Sequence, residues 1–242
     1  MVNWIKRSAP LALICGVLLL QGCAAVQTAD ARDPWESMNR SIYKFNDVVD
    51  TAAIKPAAQI YETVTPRFVR TGIHNFLGNI GDVWSMANSA LQLKGQATVE
   101  TFMRINVNTF LGLGGLLDVA TEMRLEKRKE DFGQTLGYWG VKPGPYLMLP
   151  LLGPSTLRDT AALPLDMQGD ATQQFSDQAT RNVLTVTRVL DVRTGLLQTV
   201  DVVKAASLDP YSFVRDAYLQ KRRNDIYDGN PPSTFDYGDE SK

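Results

Sequence analysis

The sequence predicts a mainly α-helical protein, and three observations lead to that fold class. Apolar residues recur at spacings of three and four along several long stretches, as they do on one face of a helix. No stretch shows the alternation expected of a half-buried strand. Residues 131–169 hold 11 of the 30 glycines and prolines, which predicts little regular structure there. Aromatic residues and leucines in that segment favour an ordered, irregular layer over a disordered linker.

Residues 1–22 have the features of a lipoprotein signal peptide. After a basic start, the apolar stretch at 9–20 is shorter than the roughly 20 residues of a membrane span. It ends in Leu20-Gln21-Gly22-Cys23, which resembles the bacterial lipobox, although Gln21 is an unusual second residue. We expect cleavage before Cys23. An ordinary signal peptide followed by a chance cysteine is the weaker alternative.

Cys23 is the predicted lipid anchor. It would carry covalent acyl and diacylglyceryl groups, and more than one chain makes anchoring stable. No other cofactor is expected. The next residue is Ala24 rather than the aspartate that often retains lipoproteins at the inner membrane, which favours the outer membrane and its periplasmic face. Residues 23–32 would form a polar tether to one folded domain at 33–228.

Two helices are predicted in the first third of that domain. Asp33 stands where a helix N-cap is expected, with proline and glutamate following, and an apolar stripe runs from there to Val49. A second apolar face extends over 66–91. Gly78 and Gly81 predict a bend or break within it.

A third helical pattern begins at Gln96 and runs into the glycine-rich apolar stretch 111–117. Few charges interrupt it, and two interpretations stay open: a helix in the membrane interface or a buried core helix. We take this region as the channel or membrane-proximal part of the molecule. Its candidate residues are Phe102, Met103, Phe110, Leu113, Gly114, Gly115 and Leu116.

Helical patterns return in the last third of the chain. One covers residues 170–206 with a bend expected at Gly195. Asp209, followed by proline, predicts the cap of a last helix that ends near Tyr227. The polar tail at 229–242 is expected to be disordered.

The composition argues against most binding and catalytic chemistry. A formal net charge of −1 argues against a nucleic-acid binder. One histidine and two cysteines leave too few residues for most metal sites or a disulfide framework. The glycines near residue 112 lack the spacing of a dinucleotide fingerprint or a phosphate loop.

Catalytic groups are equally sparse. His74 is interpreted as a surface or capping residue, because no Gly-x-Ser-x-Gly elbow accompanies it. Asp118, Asp131 and Asp159 are candidate carboxylates, but no pattern joins any two of them. The cations at 221–223 are expected to offset the dipole of the last helix.

Seven motifs in order resemble those of the MlaA (VacJ) lipoprotein family, and together they cover about residues 33–218. They are Asp33-Pro-Trp-Glu-Ser-Met-Asn-Arg40 with Tyr43-Lys-Phe-Asn46, Asn75-Phe-Leu-Gly-Asn79, Arg104-Ile-Asn-Val-Asn-Thr-Phe-Leu-Gly-Leu-Gly-Gly-Leu-Leu-Asp118, Asp131-Phe-Gly-Gln-Thr-Leu-Gly137, Gly144-Pro-Tyr146, Gly153-Pro-Ser-Thr-Leu-Arg-Asp159 and Asp209-Pro-Tyr-Ser-Phe-Val-Arg-Asp-Ala-Tyr218. Two features depart from the family pattern, namely Gln21 and the highly charged loop at 122–131.

The resemblance implies a ring-shaped helical lipoprotein, with amphipathic interfacial helices, in the inner leaflet of the outer membrane and bound to a trimeric porin. Such proteins are not enzymes. They draw mislocalised phospholipid from the outer leaflet through an amphipathic channel and pass it to a soluble periplasmic carrier protein. We add the hypothesis that the glycines at 112, 114 and 115 let the channel wall flex. Two other functions remain as alternatives, a lipoprotein that only scaffolds porins and a membrane-bound lipid hydrolase.

Overall fold

The computed structural model describes residues 30–232 and confirms the mainly α-helical class. The signal peptide, Cys23, most of the tether and residues 233–242 of the tail lie outside the described residues, so those assignments stay predictions. None of the helices in the described chain is both long and apolar enough to cross a membrane.

The first helical rod has three parts: α1 (Glu36–Val49), a π-helical turn (Asp50–Ile54) and α2 (Lys55–Val64). Pro56 explains the π turn. A proline has no N–H to donate and its ring collides with the carbonyl four residues earlier, so a regular α-turn is disrupted there. The wider π-helical turn accommodates the proline, so the chain stays helical from α1 into α2.

The predicted N-cap of this rod is wrong. Helix α1 begins at Glu36, and its cap position is held by Trp35 without a side-chain hydrogen bond. The carboxylate of Asp33 is completely buried and accepts hydrogen bonds from the Asn39 Nδ2 atom at 2.7 Å and the Tyr211 hydroxyl at 2.5 Å. Because the side chains of Asn39 and Tyr211, rather than first-turn amides, donate to the carboxylate, it does not cap the helix.

Helices α3 (Arg67–Leu91) and α4 (Gly95–Phe110) form a hairpin joined by a short turn. A break at Gly78 or Gly81 is absent, because α3 runs as one helix through both glycines. A glycine inside a helix costs only about 1 kcal/mol. Packing of α3 along α4 outweighs that cost.

The segment at 131–169 is more regular than its composition predicts. After the short helix α5 (Val119–Glu122) it holds α6 (Phe132–Tyr138), an antiparallel hairpin of β1 (Tyr146–Leu149) and β2 (Gly153–Thr156), and α7 (Leu157–Gly169).

Side-chain caps explain the two helices of this segment. Asp131 accepts a hydrogen bond from the Gln134 amide and starts α6, and Thr156 does the same for α7 through the Asp159 amide. Five of the 11 glycines and prolines lie between elements, and the other six, including Pro164 in α7, lie within a helix or strand. Strands of four residues are too short to show a reliable alternation.

The C-terminal third matches its prediction. A 3₁₀ turn (Ala171–Gln174) precedes α8 (Gln178–Gly195), α9 (Leu197–Ala206) and α10 (Pro210–Ile226). Where a bend was predicted at Gly195, α8 ends and α9 begins two residues later. Asp209 caps α10 as predicted, since its carboxylate accepts a hydrogen bond from the Ser212 amide.

Candidate functional site

Among the described residues, the buried side chains are more often polar than apolar, and many large apolar side chains are exposed. The largest completely buried side chains are those of Arg104, Tyr146, Gln92, Asn39, Asn88 and Thr101. Large apolar side chains on the outside include Val48, Ile60, Phe68, Leu93, Phe102, Phe110, Leu113 and Val183. In a protein surrounded by water, large apolar residues are the ones most often buried. This arrangement therefore suits a chain with apolar surroundings.

Helix α4 shows the arrangement most clearly. Its buried face carries Thr101, Arg104 and Asn108. The opposite face carries Phe102, Met103 and Phe110, and Phe110 is 78% exposed. The interpretation of 102–117 as a buried core helix is therefore wrong. An exposed apolar face opposite a polar one is what an interfacial helix requires.

A buried hydrogen-bond network joins α4 to the segment that follows it. The Arg104 Nη2 atom donates to both Asp118 oxygens at 2.9 and 3.1 Å. Asn108 donates to the same carboxylate at 3.0 Å and accepts from the Ala120 amide at 2.9 Å. Burial raises the pKa of Asp118, but hydrogen bonds from Thr121 and Asn108 and the charge of Arg104 outweigh it and lower the pKa to about 2.

The loop at 111–117 has a specific backbone conformation. Leu113, Gly114 and Gly115 have positive φ angles of 54°, 74° and 95°. A Cβ atom on Gly112 would lie 2.2 Å from the Leu117 carbonyl oxygen, and one on Gly115 would lie 2.9 Å from Nδ2 of Asn79. Close packing and left-handed backbone thus account for these glycines. Whether the loop also flexes stays a hypothesis.

An open groove of about 720 Å³ lies between the start of α3 and this loop. Its apolar wall includes Phe68, Leu116 and Leu117, and the charged residues lining it include Arg67 and Glu122. The Asn75 Nδ2 atom donates to the Leu116 carbonyl at 3.1 Å and ties the loop to α3. Of the seven predicted residues, Leu116 lines the groove, and the others lie along α4 or elsewhere in the loop.

A second polar cluster joins α2, α3 and α8. The His74 Nδ1 atom lies 2.8 Å from Oδ2 of Asp191, and Arg70 pairs with Glu62 at 3.3 Å. The histidine ring is exposed, as predicted. Within residues 30–232 the buried hydroxyl of Tyr61 has no hydrogen-bond partner. Burial raises the pKa of Tyr61, and the charge of Asp191 adds to the effect.

Two of the three candidate carboxylates do meet, but around an arginine. Arg222 reaches Asp131 at 2.6 Å and Asp159 at 3.0 Å, and Tyr218 donates to Asp159 at 2.8 Å. Burial raises the pKa of both carboxyls, yet the hydrogen bonds and charge of Arg222 hold each pKa below its ordinary value. Carboxylates fixed in this way serve the fold rather than acid–base chemistry. Arg222 does more than offset a helix dipole.

Comparisons with known proteins identify the family. The model of the MlaA lipoprotein family matches residues 31–225. The chain belongs to the MlaA lipoprotein family. The intermembrane phospholipid transport system lipoprotein MlaA of Escherichia coli (strain K12) is 35% identical over 216 residues, covering 87% of this chain and 85% of that protein. The protein of the same name from Haemophilus influenzae (strain ATCC 51907 / DSM 11121 / KW20 / Rd) is 28% identical over 234 residues, 93% of each chain.

A solved structure also matches the fold of this MlaA family member. It is described as "Structural basis for maintenance of bacterial outer membrane lipid asymmetry" and superimposes with a TM-score of 0.71 at 33% identity. The match covers 82% of this chain and 99% of that one. The helical family fold predicted from the motifs is therefore confirmed.

The family motifs meet in buried polar clusters. Asn39 of the first motif donates to the Tyr146 carbonyl at 3.1 Å, and Tyr211 and Arg215 of the last motif contact Asp33. Asp131 and Asp159, from two other motifs, meet around Arg222. No three histidine, cysteine or carboxylate side chains of residues 30–232 gather as a metal site requires.

Sequence reasoning missed Arg67, Phe68 and Glu122 as lining residues. One signal was available for Arg67. It is the first residue of α3, where a cation opposes the helix dipole, so helix stability gives no reason for its position. Nothing in the sequence links it to Glu122, because only the tertiary fold brings the two to one groove.

Proposed function

We propose that this protein is an outer-membrane lipoprotein that removes mislocalised phospholipid from the outer leaflet and so maintains lipid asymmetry. The single observation that carries the proposal is the combination of many buried polar side chains with many exposed large apolar ones. A chain of this kind keeps many polar side chains away from lipid, while its exposed apolar side chains can contact acyl chains. The names of its MlaA relatives, which refer to phospholipid transport, support the same function.

The task itself requires a polar path through an apolar layer. A phospholipid head group that crosses hydrocarbon loses its hydrogen bonds, and a charge at the bilayer centre costs several kcal/mol or more. A ring of helices with an amphipathic channel lowers that barrier without breaking a bond. We therefore propose a transporter and not an enzyme, with no cofactor other than the groups on Cys23.

The location follows from the anchor and the exposed surface. Acyl and diacylglyceryl groups on Cys23 would hold the chain at the periplasmic face of the outer membrane. Phe102, Met103, Phe110 and Leu113 are exposed apolar side chains near one another along α4 and its loop. We propose that they lie against the inner leaflet. A trimeric porin would hold the protein in place, and a soluble periplasmic carrier would receive the lipid.

Phospholipid retained by the purified protein tests the proposal. The full-length acylated protein is extracted in mild detergent, washed, and analysed for lipid by mass spectrometry. We expect intact phospholipid in the wild type, less in Phe68→Asp because a charge enters the groove wall, and unchanged retention in Val48→Asp. Val48 is the matched control, since it is exposed and apolar but does not line the groove.

Two results would overturn the proposal. If porin co-purifies with the protein but phospholipid does not, the result would indicate a lipoprotein that only scaffolds porins. Lysophospholipid in place of intact lipid would instead indicate a hydrolase.

A further inference from the structure

The groove beside α3 contains two opposite charges that the rest of the described chain does not neutralise. Most arginines and carboxylates of residues 30–232 form ion pairs, as Arg104 does with Asp118. The side chains of Arg67 and Glu122 have no ion-pair or hydrogen-bond partner within that part of the chain, and they do not pair with each other. The groove is therefore lined by one cation and one anion that are separate from each other and available to bind a ligand.

The wall near these charges is apolar and exposed. Phe68 follows Arg67 directly and is 78% exposed, and Leu116 and Leu117 approach from the loop. The other nearby carboxylate, Asp118, is held by Arg104. Glu122 is therefore the one carboxylate among the groove's lining residues that is free to bind a ligand cation.

We propose that this groove binds the head group of a zwitterionic phospholipid, with the phosphate at Arg67 and the ammonium at Glu122. The acyl chains would lie along Phe68 and Leu116. The arrangement is complementary in charge to a phosphate joined to an amine by a short linker. A free phosphorylated amine would leave the apolar wall uncovered, so the groove suits a membrane lipid better. This inference rests on the proposed function and names the lipid class that it favours.

Glu122 is the residue that discriminates between head groups. An anionic phospholipid shares the phosphate but has no ammonium, so it would leave the carboxylate unpaired beside another negative charge. Arg67 contacts the group that both lipids share. Loss of Glu122 should therefore change selectivity, whereas loss of Arg67 should weaken retention of both lipids.

A competition experiment tests the assignment. Full-length acylated protein is incubated with vesicles of equimolar phosphatidylethanolamine and phosphatidylglycerol, recovered, and analysed for both lipids. We expect the wild type to favour phosphatidylethanolamine by about two- to fivefold, the range that partly exposed ion pairs support. Glu122→Gln should remove the preference, and Glu122→Lys should reverse it.

Matched controls separate the groove from general surface charge. Arg67→Gln should lower retention of both lipids at an unchanged ratio. Lys142→Gln and Glu126→Gln remove exposed charges outside the groove and should leave both amount and ratio unchanged.

Two contrary results have different meanings. If the wild type retains lipid with no head-group preference, or with a preference that Glu122→Lys does not alter, this inference fails and the proposed function stands. If it retains neither lipid, both fail.

Discussion

At the scale of single residues, buried ion pairs hold distant parts of the chain together. Arg222 of α10 reaches Asp131 at the start of α6 and Asp159 in α7. A Cβ atom on Gly133 would lie 2.5 Å from the Arg222 guanidinium, so the backbone approaches this cluster closely. Removing the cation would leave buried carboxylates without full compensation, which is far more costly than losing an exposed ion pair.

Arg222→Met should therefore destabilise the protein strongly. We expect the free energy of unfolding, measured by denaturant titration at pH 7, to fall by about 3–5 kcal/mol. Lys221→Met is the matched control, because the neighbouring Lys221 side chain is 73% exposed and should change stability by less than about 0.5 kcal/mol. Equal losses in the two variants would show that the cluster adds nothing specific.

The free energies of unfolding of the wild type and Arg222→Met should depend differently on pH. In the wild type the pKa of Asp131 is lower when folded than the unfolded value of about 3.9, so its contribution is complete above about pH 5 and is lost as the pH falls through the folded pKa. Without Arg222 burial dominates and raises that pKa. Between pH 6 and 4, Arg222→Met should then regain part of its lost stability. A constant difference between the two proteins across this range would contradict the account.

At the scale of elements, helical periodicity and Asp209 with its proline predicted the long helices and the last cap correctly. The errors have tertiary causes. Asp33 looks like an N-cap, but its carboxylate is bound by Tyr211, which lies far along the chain. Gly78 and Gly81 look like a break, but α3, which packs along α4, runs through both without one. Local patterns do not report contacts between distant segments, and for the same reason the groove was not predictable.

The loop at 111–117 is the element whose function is most open to test. Gly114 has a φ angle of 74° and free space around its Cβ position, so Gly114→Val strains the backbone by about 1–2 kcal/mol without a collision. We expect a normal protein level but impaired lipid asymmetry, measured as phospholipid in the outer leaflet. Gly81→Ala is the control, since nothing lies within 4 Å of that position in a regular helix. Normal asymmetry in Gly114→Val would remove the loop from the mechanism.

At the scale of the whole molecule, polarity explains how one chain could serve transport without catalytic groups. Buried Arg104, Asn39, Asn88 and Gln92 hold the helices together by hydrogen bonds, while many large apolar side chains are exposed. The apolar fraction of 44% is typical of a globular protein, so composition alone does not reveal this arrangement. Periodicity shows that each helix has two faces, and only the tertiary structure shows which one is buried.

The outer-leaflet phospholipid content of cells lacking this protein tests the central claim most directly. The cells are complemented with the wild type or with Cys23→Ala, and protein levels are matched. We predict that phospholipid accumulates in the outer leaflet after deletion, and that the wild type clears it whereas the unanchored variant does not. An outer leaflet unchanged by deletion would contradict phospholipid removal and favour a porin scaffold.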